Sequence, residues 1–316
     1  MIVKTCSEHL EEAIRILSQG DLIGLPTETV YGLAADATQE LAVAKIFQLK
    51  NRPTFNPLII HGHSNDCFKE HVIWNEEAEA LARTFWPGPL TLVLPRLPSS
   101  SLSLLASAGL DSLAVRIPRH PLALNLLQEF GRPLAAPSAN PSGKTSPTQA
   151  IHVEEDFPNL FILDGGDTTV GLESTIIDLT GPFPHLLRPG GISQEEIESV
   201  IGPLKATLQE SIKAPGMMKS HYAPTLPLHL NVTAPAEGEA YLAFGPTSHK
   251  GEHVLNLSED GNLTEAAANL FKMMRILDRT NFHRMSVAPI PLRGLGIALN
   301  DRLQRAAAPR GPLGKE

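Results

Sequence analysis

Prolines and glycines fall mostly at the junctions between short apolar runs, and their distribution is the strongest constraint on the fold. The chain has 27 prolines and 24 glycines in 316 residues. Proline donates no backbone N–H and glycine permits sharp turns, so the pattern predicts many short strands joined by tight loops. Residues 76–85, for example, predict a helix that the Trp-Pro-Gly-Pro run 86–89 ends, and residues 90–94 predict a strand.

Helical and strand patterns alternate along the whole chain, which predicts an α/β fold, and the length suits two domains. Residues 202–225 change character, with prolines, methionines, a histidine and a tyrosine, and read as a linker. Beyond them, apolar residues recur at helical spacing from Leu263 to Leu277. We expect a first domain over residues 1–205, a linker or lid over 206–225 and a smaller second domain over 226–316.

Charge and cysteine content exclude several classes of protein. The net charge of −8 argues against a protein whose main task is to grip nucleic acid through phosphates. Cys6 and Cys67 form no paired motif, so neither a disulfide framework nor a zinc site is expected and a cytoplasmic location fits. The N-terminal residues lack the apolar core of a signal peptide, and no run approaches the ~18 apolar residues that cross a bilayer.

The segment KNRPTFNPLIIH, residues 50–61, is the most informative for function. It places Lys50, Arg52 and Asn56 around two prolines, which favour extended backbone before them. Cations in such a segment suit a bound polyanion, and a strand ending in His61 would bring its ring to a sheet edge where ligands of α/β folds bind. We read this as an ATP site with an amino-acid pocket beside it. The alternative is a solvated pair of cations with a structural histidine.

Other polar clusters have the same character. The loop 27–33 follows a predicted strand and precedes a helix predicted at 39–48, and its hydroxyls suit a small polar ligand. Ser112 and Arg116 share one face of a predicted strand. A guanidinium in a buried strand requires an anionic partner, either a substrate carboxylate or an internal Asp or Glu. The remaining clusters are the rigid hydroxyl-rich loop 137–146, the hydroxyl pair at 174–175 and Arg188 at a strand end.

Several familiar signatures are missing from the sequence. It contains no Gly-x-x-x-x-Gly-Lys-Ser/Thr loop, no Gly-x-Gly-x-x-Gly fingerprint, no Gly-x-Ser-x-Gly elbow and no His-Glu-x-x-His helix. These absences argue against P-loop hydrolysis, dinucleotide binding, a serine hydrolase of that type and zinc proteolysis.

Taken together, the clusters resemble the threonylcarbamoyl-adenylate synthase family in its long two-domain form. The matching segments are PTETVYGL (26–33), KNRPTFNPL (50–58), WPGPLT (86–91), VRIP (115–118), PSAN (137–140), EST (173–175), LRPG (187–190) and APGMMKSHYAP (214–224). The last resembles the family's linker, usually Ser-Pro-Gly-Met, from which Ala214 and the additional Met218 depart. The resemblance covers nearly the whole chain.

The resemblance implies a YrdC-like first domain with a twisted mixed sheet and a ligand cleft, a Rossmann-like α/β/α second domain, and a linker that covers the cleft. The implied reaction converts L-threonine, bicarbonate and ATP to threonylcarbamoyl-AMP and pyrophosphate. The threonylcarbamoyl-AMP is then used in tRNA modification. By resemblance, Lys50 and Arg52 are the catalytic cations. The implied ATP-binding residues are Arg52, Asn56, Ser112, Ser138, Ser146, Arg188 and Tyr222. The implied threonine-binding residues are Thr29, His61, Arg116, Ala136 and Ser174.

The same resemblance implies Mg²⁺ held mainly by the phosphates, with no metal ligands from the protein, no covalent nucleophile and no assigned general base. Its implied partners are the three substrates, the downstream tRNA threonylcarbamoyl-transferase machinery and at most a weak tRNA contact. Two other functions remain open on the sequence. One is an RNA-binding module, since YrdC-like domains carry a basic concavity. The other is carbamoyl transfer to a protein thiol, although the acylphosphatase and zinc-finger segments usual there are missing.

Overall fold

The computed structural model describes residues 1–4, 7–205, 213–279 and 282–309. Cys6 and the first part of the predicted linker, 206–212, lie outside them. Ten strands form one sheet in the order β1-β8-β2-β3-β7-β4-β6-β5-β9-β10. These strands are β1 (Ile2–Lys4), β2 (Ile23–Leu25), β3 (Gly32–Asp36), β4 (Ile59–His61), β5 (Leu90–Pro95), β6 (Ser112–Arg116), β7 (Leu134–Ala135), β8 (Phe161–Asp164), β9 (Thr175–Asp178) and β10 (His185–Arg188).

The described helices of this unit connect the strands. They are α1 (Ser7–Ser18), α2 (Glu40–Lys50), α3 (Asp66–Lys69), α4 (Glu76–Phe85), α5 (Pro121–Phe130), α6 (Ala150–Asp156) and α7 (Gln194–Ile201). Parallel pairs (β4 with β6, β5 with β9) alternate with antiparallel ones (β2 with β3, β5 with β6). The larger sheet is therefore mixed, as expected.

The two faces of the larger sheet are covered differently. On one face, α2, α4 and α6 bury the main apolar cluster, which includes Ile60 and Val115. On the opposite face, α1 and α5 cover the strands near β2 and β3. Beside them, Ile59 and Ala114 are covered by linker residues Ala214 and Met217 instead of a helix. The linker thus closes the half of this face that the helices leave open.

A second, smaller sheet has four parallel strands in the order β11-β14-β12-β13. Its elements are β11 (Leu228–Leu230), β12 (Ala240–Ala243), β13 (Val254–Asn256), α8 (Leu263–Leu277), β14 (Met285–Val287) and α9 (Leu295–Ala307). Both helices share one buried cluster with alternate strand residues such as Leu242. Tyr241 and Ala243 point to the other face, into a small separate cluster. None of the described helices combines the length and apolar character that a membrane span requires.

Several sequence predictions are confirmed at the residue level. Helices α4 and α5 have the predicted bounds, and α7 begins with the predicted capping box: the Ser193 side chain accepts from Glu196 N, and the Glu196 side chain accepts from Ser193 N. Other elements were missed, namely β1, α3, β7, α6 and β13. They are short, between two and seven residues each, so they carry little periodic signal.

Two local predictions, for residues 27–31 and for Lys50, were wrong. Residues 27–31 do not lead from a strand to a helix, because strand β3 intervenes and pairs antiparallel with β2. Its Gly-Leu-Ala-Ala-Asp sequence lacks β-branched residues, and burial on both faces makes it a strand nonetheless. Lys50 does not lie in an extended segment. It is the last residue of α2, and Asn51 caps that helix in the left-handed conformation with φ 49°. Arg52 and Asn56 lie outside helices, as predicted.

Candidate functional site

A narrow cavity lies on the face of the larger sheet that the linker covers. The hairpin loop between β2 and β3, the carboxyl ends of β4 and β6, the start of loop 136–138 and the linker form its walls. Nine of the thirteen candidate residues line it: Thr29, Arg52, His61, Arg116, Ala136, Ser138, Ser174, Arg188 and Tyr222.

Strand register brings His61 and Arg116 together. The two are partners at the carboxyl ends of the parallel strands β4 and β6, so their side chains lie on the same face. Arg116 donates through Nη1 to Thr29 Oγ1 at 2.9 Å and through Nε to Gly88 O at 3.2 Å. Its Nη2 lies 2.7 Å from Glu28 Oε1, but the N–H bond is not aligned on that oxygen. The internal carboxylate foreseen as one partner is therefore present, and an N–H donor remains without an aligned acceptor.

His61 carries no charge at neutral pH. Burial lowers its pKa to about 3, and the neighbouring positive charge of Arg116 acts in the same direction. Its Nδ1 lies 3.2 Å from Ile59 O, which places the proton on Nδ1 and leaves Nε2 as an acceptor. Arg116 and a neutral imidazole acceptor side by side suit a ligand that offers a carboxylate and an N–H or O–H group.

Arg52 and Arg188 form the cationic part of the cavity. Arg52 donates to Asn56 O at 3.1 Å and Pro57 O at 2.8 Å, while Arg188 donates to Ser174 O at 2.9 Å and to the linker carbonyl Pro215 O at 3.0 Å. Burial lowers the pKa of Arg52 to about 9, so it stays charged at neutral pH. Within the described ranges, neither guanidinium has a carboxylate at ion-pair distance. Buried cations paired only with neutral oxygens suit an anionic ligand.

Four candidate residues lie outside the cavity lining. Lys50 Nζ donates to Ser138 O at 2.5 Å and to Asn140 O, so it braces the loop that carries Ser138. Asn56 donates to Met218 Sδ at 3.6 Å, and its Oδ1 has no hydrogen-bond partner. Ser112 lies at the opposite end of β6 from Arg116. Ser146 Oγ donates to Glu173 Oε1 at 2.6 Å.

The linker closes the cavity with Pro215, Gly216, His221 and Tyr222. The Tyr222 ring stacks on Phe271 with centroids 5.6 Å apart, and its hydroxyl is buried without a hydrogen-bond partner. Burial raises the pKa of Tyr222, so the hydroxyl stays protonated. Gly216 adopts φ 82°, and a Cβ there would lie 2.6 Å from Tyr222 Oη and 2.9 Å from Arg188 Cδ. Only glycine allows the linker to approach these two side chains so closely.

Sequence reasoning missed four side chains in or around this cavity. Glu28 and Glu173 stood inside quoted motifs without a role, and His221 was quoted only as part of the linker. Arg302 was not singled out, although it belongs to the buried stripe of α9 between Leu299 and Leu303. A lone arginine among buried apolar positions of an amphipathic helix was the available signal.

Comparison with known families agrees with this architecture. A family described as "Telomere recombination", the Sua5/YciO/YrdC family, matches residues 15–190. A second family, described as "Threonylcarbamoyl-AMP synthase, C-terminal domain", matches residues 192–308. The curated threonylcarbamoyl-AMP synthase of Pyrococcus abyssi is 43% identical over 340 residues, covering 98% of this chain and 98% of the relative. That of Bacillus subtilis is 38% identical over 331 residues, covering 98% and 95%.

Solved structures give the same result. The crystal structure of P. abyssi Sua5 complexed with L-threonine superposes with a TM-score of 0.89 at 42% identity, covering 97% of each chain. Escherichia coli YciO shares the fold of part of this chain, with a TM-score of 0.54 at 18% identity over 60% of it. The chain therefore belongs to the Sua5/YciO/YrdC family, in the two-domain form that carries the C-terminal domain of threonylcarbamoyl-AMP synthases.

Proposed function

We infer that this chain is a threonylcarbamoyl-AMP synthase, which converts L-threonine, bicarbonate and ATP to threonylcarbamoyl-AMP and pyrophosphate. Relatives of that name match it over nearly their full length. The structural observation that supports this function most is one cavity that brings Arg116 and His61 together with Arg52 and Arg188, two cations without a carboxylate at ion-pair distance in the described chain. An amino acid and a polyphosphate are the ligands that these two parts fit.

We propose that Arg116 binds the threonine carboxylate, with Thr29, His61, Ser174 and the backbone at Ala136 around the rest of the amino acid. An arginine binds a carboxylate through two parallel N–H donors. The His61 acceptor, unprotonated at Nε2, suits the amine or the hydroxyl of threonine. The attack of this amine requires its neutral form, because an ammonium nitrogen has no free electron pair.

The nucleotide occupies the cationic side in this proposal. Arg52 and Arg188 bind phosphate oxygens, while Asn56, Ser112, Ser138, Ser146 and Tyr222 fix the rest of ATP. Lys50 acts with Arg52 on the phosphates after exchanging its present carbonyl partners. No cluster of three His, Cys, Asp or Glu side chains suited to a metal occurs in the described part of the chain. Mg²⁺ would be held mainly by the triphosphate oxygens, where it would neutralise phosphate charge.

The chemistry consists of two bond-forming steps. The threonine nitrogen attacks the carbon of bicarbonate with loss of water, or the carbon of carbon dioxide derived from it with loss of a proton, and a carbamate forms. A carbamate oxygen then attacks the α-phosphorus of ATP, the bond from that phosphorus to the bridging oxygen breaks, and pyrophosphate leaves. Such transfers depend on positioning and charge neutralisation rather than on a covalent intermediate. The buried arginines and the linker that excludes water provide both.

We propose the division of labour expected from the sequence: a catalytic domain over residues 1–205, a lid over 206–225 and a second domain over 226–316. The product passes to the machinery that modifies tRNA, with at most a weak contact to tRNA itself, and the protein works in the cytoplasm. The linker contacts with Arg188 and Tyr222 support the lid.

The test is pyrophosphate release from ATP in reactions that omit threonine, bicarbonate or both. We expect release only when all three substrates are present, with labelled bicarbonate incorporated into an adenylate. Arg52→Ala should reduce turnover by at least about a hundredfold, because it removes a buried charge-assisted phosphate contact, while the protein stays folded. Unchanged turnover in Arg52→Ala, or tight salt-dependent tRNA binding without any turnover, contradicts the proposal.

A further inference from the structure

Arg302 of α9 links the second unit directly to the cavity. Its side chain is fully buried. Nε donates to Glu173 Oε2 at 2.7 Å, and Nη2 donates to Pro189 O at 2.9 Å; both acceptors belong to the larger unit. Nη1 donates to Asp301 Oδ2 at 2.5 Å. A buried guanidinium is tolerated only when its donors are satisfied, so this side chain is specified by partners across the two units.

The partner of Arg302 is the Glu173 carboxylate, whose negative charge at the cavity disfavours phosphate binding there. Among the described residues that line the cavity, Glu173 is the one carboxylate. Burial alone would raise its pKa, but the charges of Arg302 and Arg188 outweigh burial and hold the pKa of Glu173 below its usual value. Glu173 is therefore ionised at neutral pH, and it would repel a triphosphate unless a cation neutralised it.

The carboxylate of Glu173 also orients a hydroxyl. Its Oε1 accepts from Ser146 Oγ at 2.6 Å, while Oε2 is held by Arg302. Arg302 thus holds the Glu173 carboxylate in place, and that carboxylate in turn orients the Ser146 hydroxyl.

Arg302 contacts the linker at the same time. Its guanidinium carbon lies 5.1 Å from the centroid of the Tyr222 ring, within the range of cation–π attraction. On α8, Phe271 stacks on the same ring. The second unit therefore holds the closing tyrosine of the linker between an aromatic ring and a cation.

We propose that Arg302 is a positioning residue for ATP, and that it acts by neutralising Glu173, orienting Ser146 through it and holding Tyr222 over the cavity. This inference rests on the proposed function. It assigns the second domain a specific contribution to the nucleotide site, made through one side chain that does not itself line the cavity. The threonine side, built on Arg116 and His61, does not depend on it.

The test compares KM values for ATP and threonine in four variants of the full-length protein. Arg302→Met should raise the KM for ATP at least about tenfold, the usual effect of losing a hydrogen bond to a charged group, and should change the KM for threonine less than about twofold. Arg302→Lys, which keeps the charge, should lie between wild type and Arg302→Met. Adding Glu173→Gln to Arg302→Met removes the uncompensated charge, keeps an acceptor for Ser146 and should restore most of the lost ATP affinity.

Lys272→Met is the matched control. Lys272 forms another ion pair between the two units, with Asp167 at 2.7 Å, and is not among the residues that line the cavity. It should leave both KM values unchanged. Equal effects of Lys272→Met and Arg302→Met, a parallel rise in the KM for threonine, or no recovery in the double variant would each overturn the inference.

Wild-type activity separates this inference from the proposed function. A wild-type protein without threonine- and bicarbonate-dependent pyrophosphate release refutes the function, whereas an active wild type with the contrary variant results refutes only the role of Arg302. Calorimetric binding of ATP to each variant gives the same comparison without turnover. If Arg302→Met does not fold, Arg302→Lys carries the test, and an unchanged KM for ATP in it contradicts the role.

Discussion

At the scale of single residues, three side chains that line the cavity each bury a polar atom without a hydrogen-bond partner. These atoms are Arg116 Nη2, His221 Nδ1 and Tyr222 Oη, while others of the kind, such as Thr168 Oγ1, lie elsewhere in the described chain. A buried polar atom without a partner costs free energy. Such atoms around one cavity indicate that a polar ligand completes their hydrogen bonds.

Tyr222→Phe tests this at one atom. If the hydroxyl bonds only to bound nucleotide, its removal should raise the KM for ATP about five- to tenfold, the net value of one hydrogen bond. The melting temperature should stay the same or rise, because the variant no longer buries an unpaired hydroxyl. Tyr241→Phe is the control, since its hydroxyl donates to Val232 O at 3.0 Å: it should lower the melting temperature and leave the KM for ATP alone. The reverse pattern contradicts the assignment.

At the scale of elements, helix α9 holds the linker along its length. Arg305 donates from Nη1 to Met218 O at 2.7 Å, and its own carbonyl accepts from His221 N at 3.2 Å. One helix therefore fixes the linker on both sides of Lys219, which is exposed. The linker is held in place by backbone contacts that the second unit supplies.

Arg305→Ala should release this segment. Loss of a charge-assisted hydrogen bond should make trypsin cut after Lys219 roughly tenfold faster, measured by mass spectrometry of the fragments. ATP should slow the cleavage again, because the closed linker is then stabilised by ligand. Gln304→Ala, at an exposed position of the same helix, should leave the rate unchanged. Equal rates in the two variants would show that α9 does not restrain the linker.

Elements with a strong local signal were predictable from the sequence, and the tertiary partners of single side chains were not. The capping box at Ser193 predicts where α7 begins, and the glycine after α5 predicts where that helix ends. Strand β3 was missed because its alanines favour a helix and only burial decides otherwise. The stripe of α9 shows that Arg302 is buried, but nothing local shows that Glu173, far away in the sequence, is its partner.

The candidate residues came from the resemblance of short motifs to one family, and nine of the thirteen line one cavity. Several of these motifs end a strand, as at His61, Arg116 and Arg188, where side chains of separate strands meet. Their roles in binding stay predictions. Lys50 shows the limit of such reasoning: its charge was evident, but its contacts with Ser138 O and Asn140 O depend on how loop 137–146 folds back.

At the scale of the whole molecule, basic residues on α8 and just after it join the two units. Lys272, Arg275 and Arg279 pair with Asp167, Asp156 and Glu155 of the larger unit. Arg275 is the most buried of the three cations, and it also donates to Thr145 O at 2.6 Å, next to Ser146. The contact between the units thus supports loop 137–146 as well as the linker.

Arg275→Met should lower the stability of the whole protein by about 3 kcal/mol, because it leaves the largely buried Asp156 without a cation. Adding Asp156→Asn should recover part of that loss, which a double-mutant cycle followed by urea denaturation measures. Lys272→Met, at an exposed pair, should cost less than about 1 kcal/mol. Equal losses for the two single variants would mean that burial does not determine the strength of this interface.

The hydrogen bond from Arg188 to the linker carbonyl Pro215 O has a consequence for measured affinities. On the proposed site, a phosphate that takes this Nη1 donor displaces a peptide oxygen from it. The equilibrium constant for ATP binding then reports the preference of this Arg188 donor for a phosphate oxygen over Pro215 O. Sequence changes near Pro215 that never touch the nucleotide will consequently shift that constant.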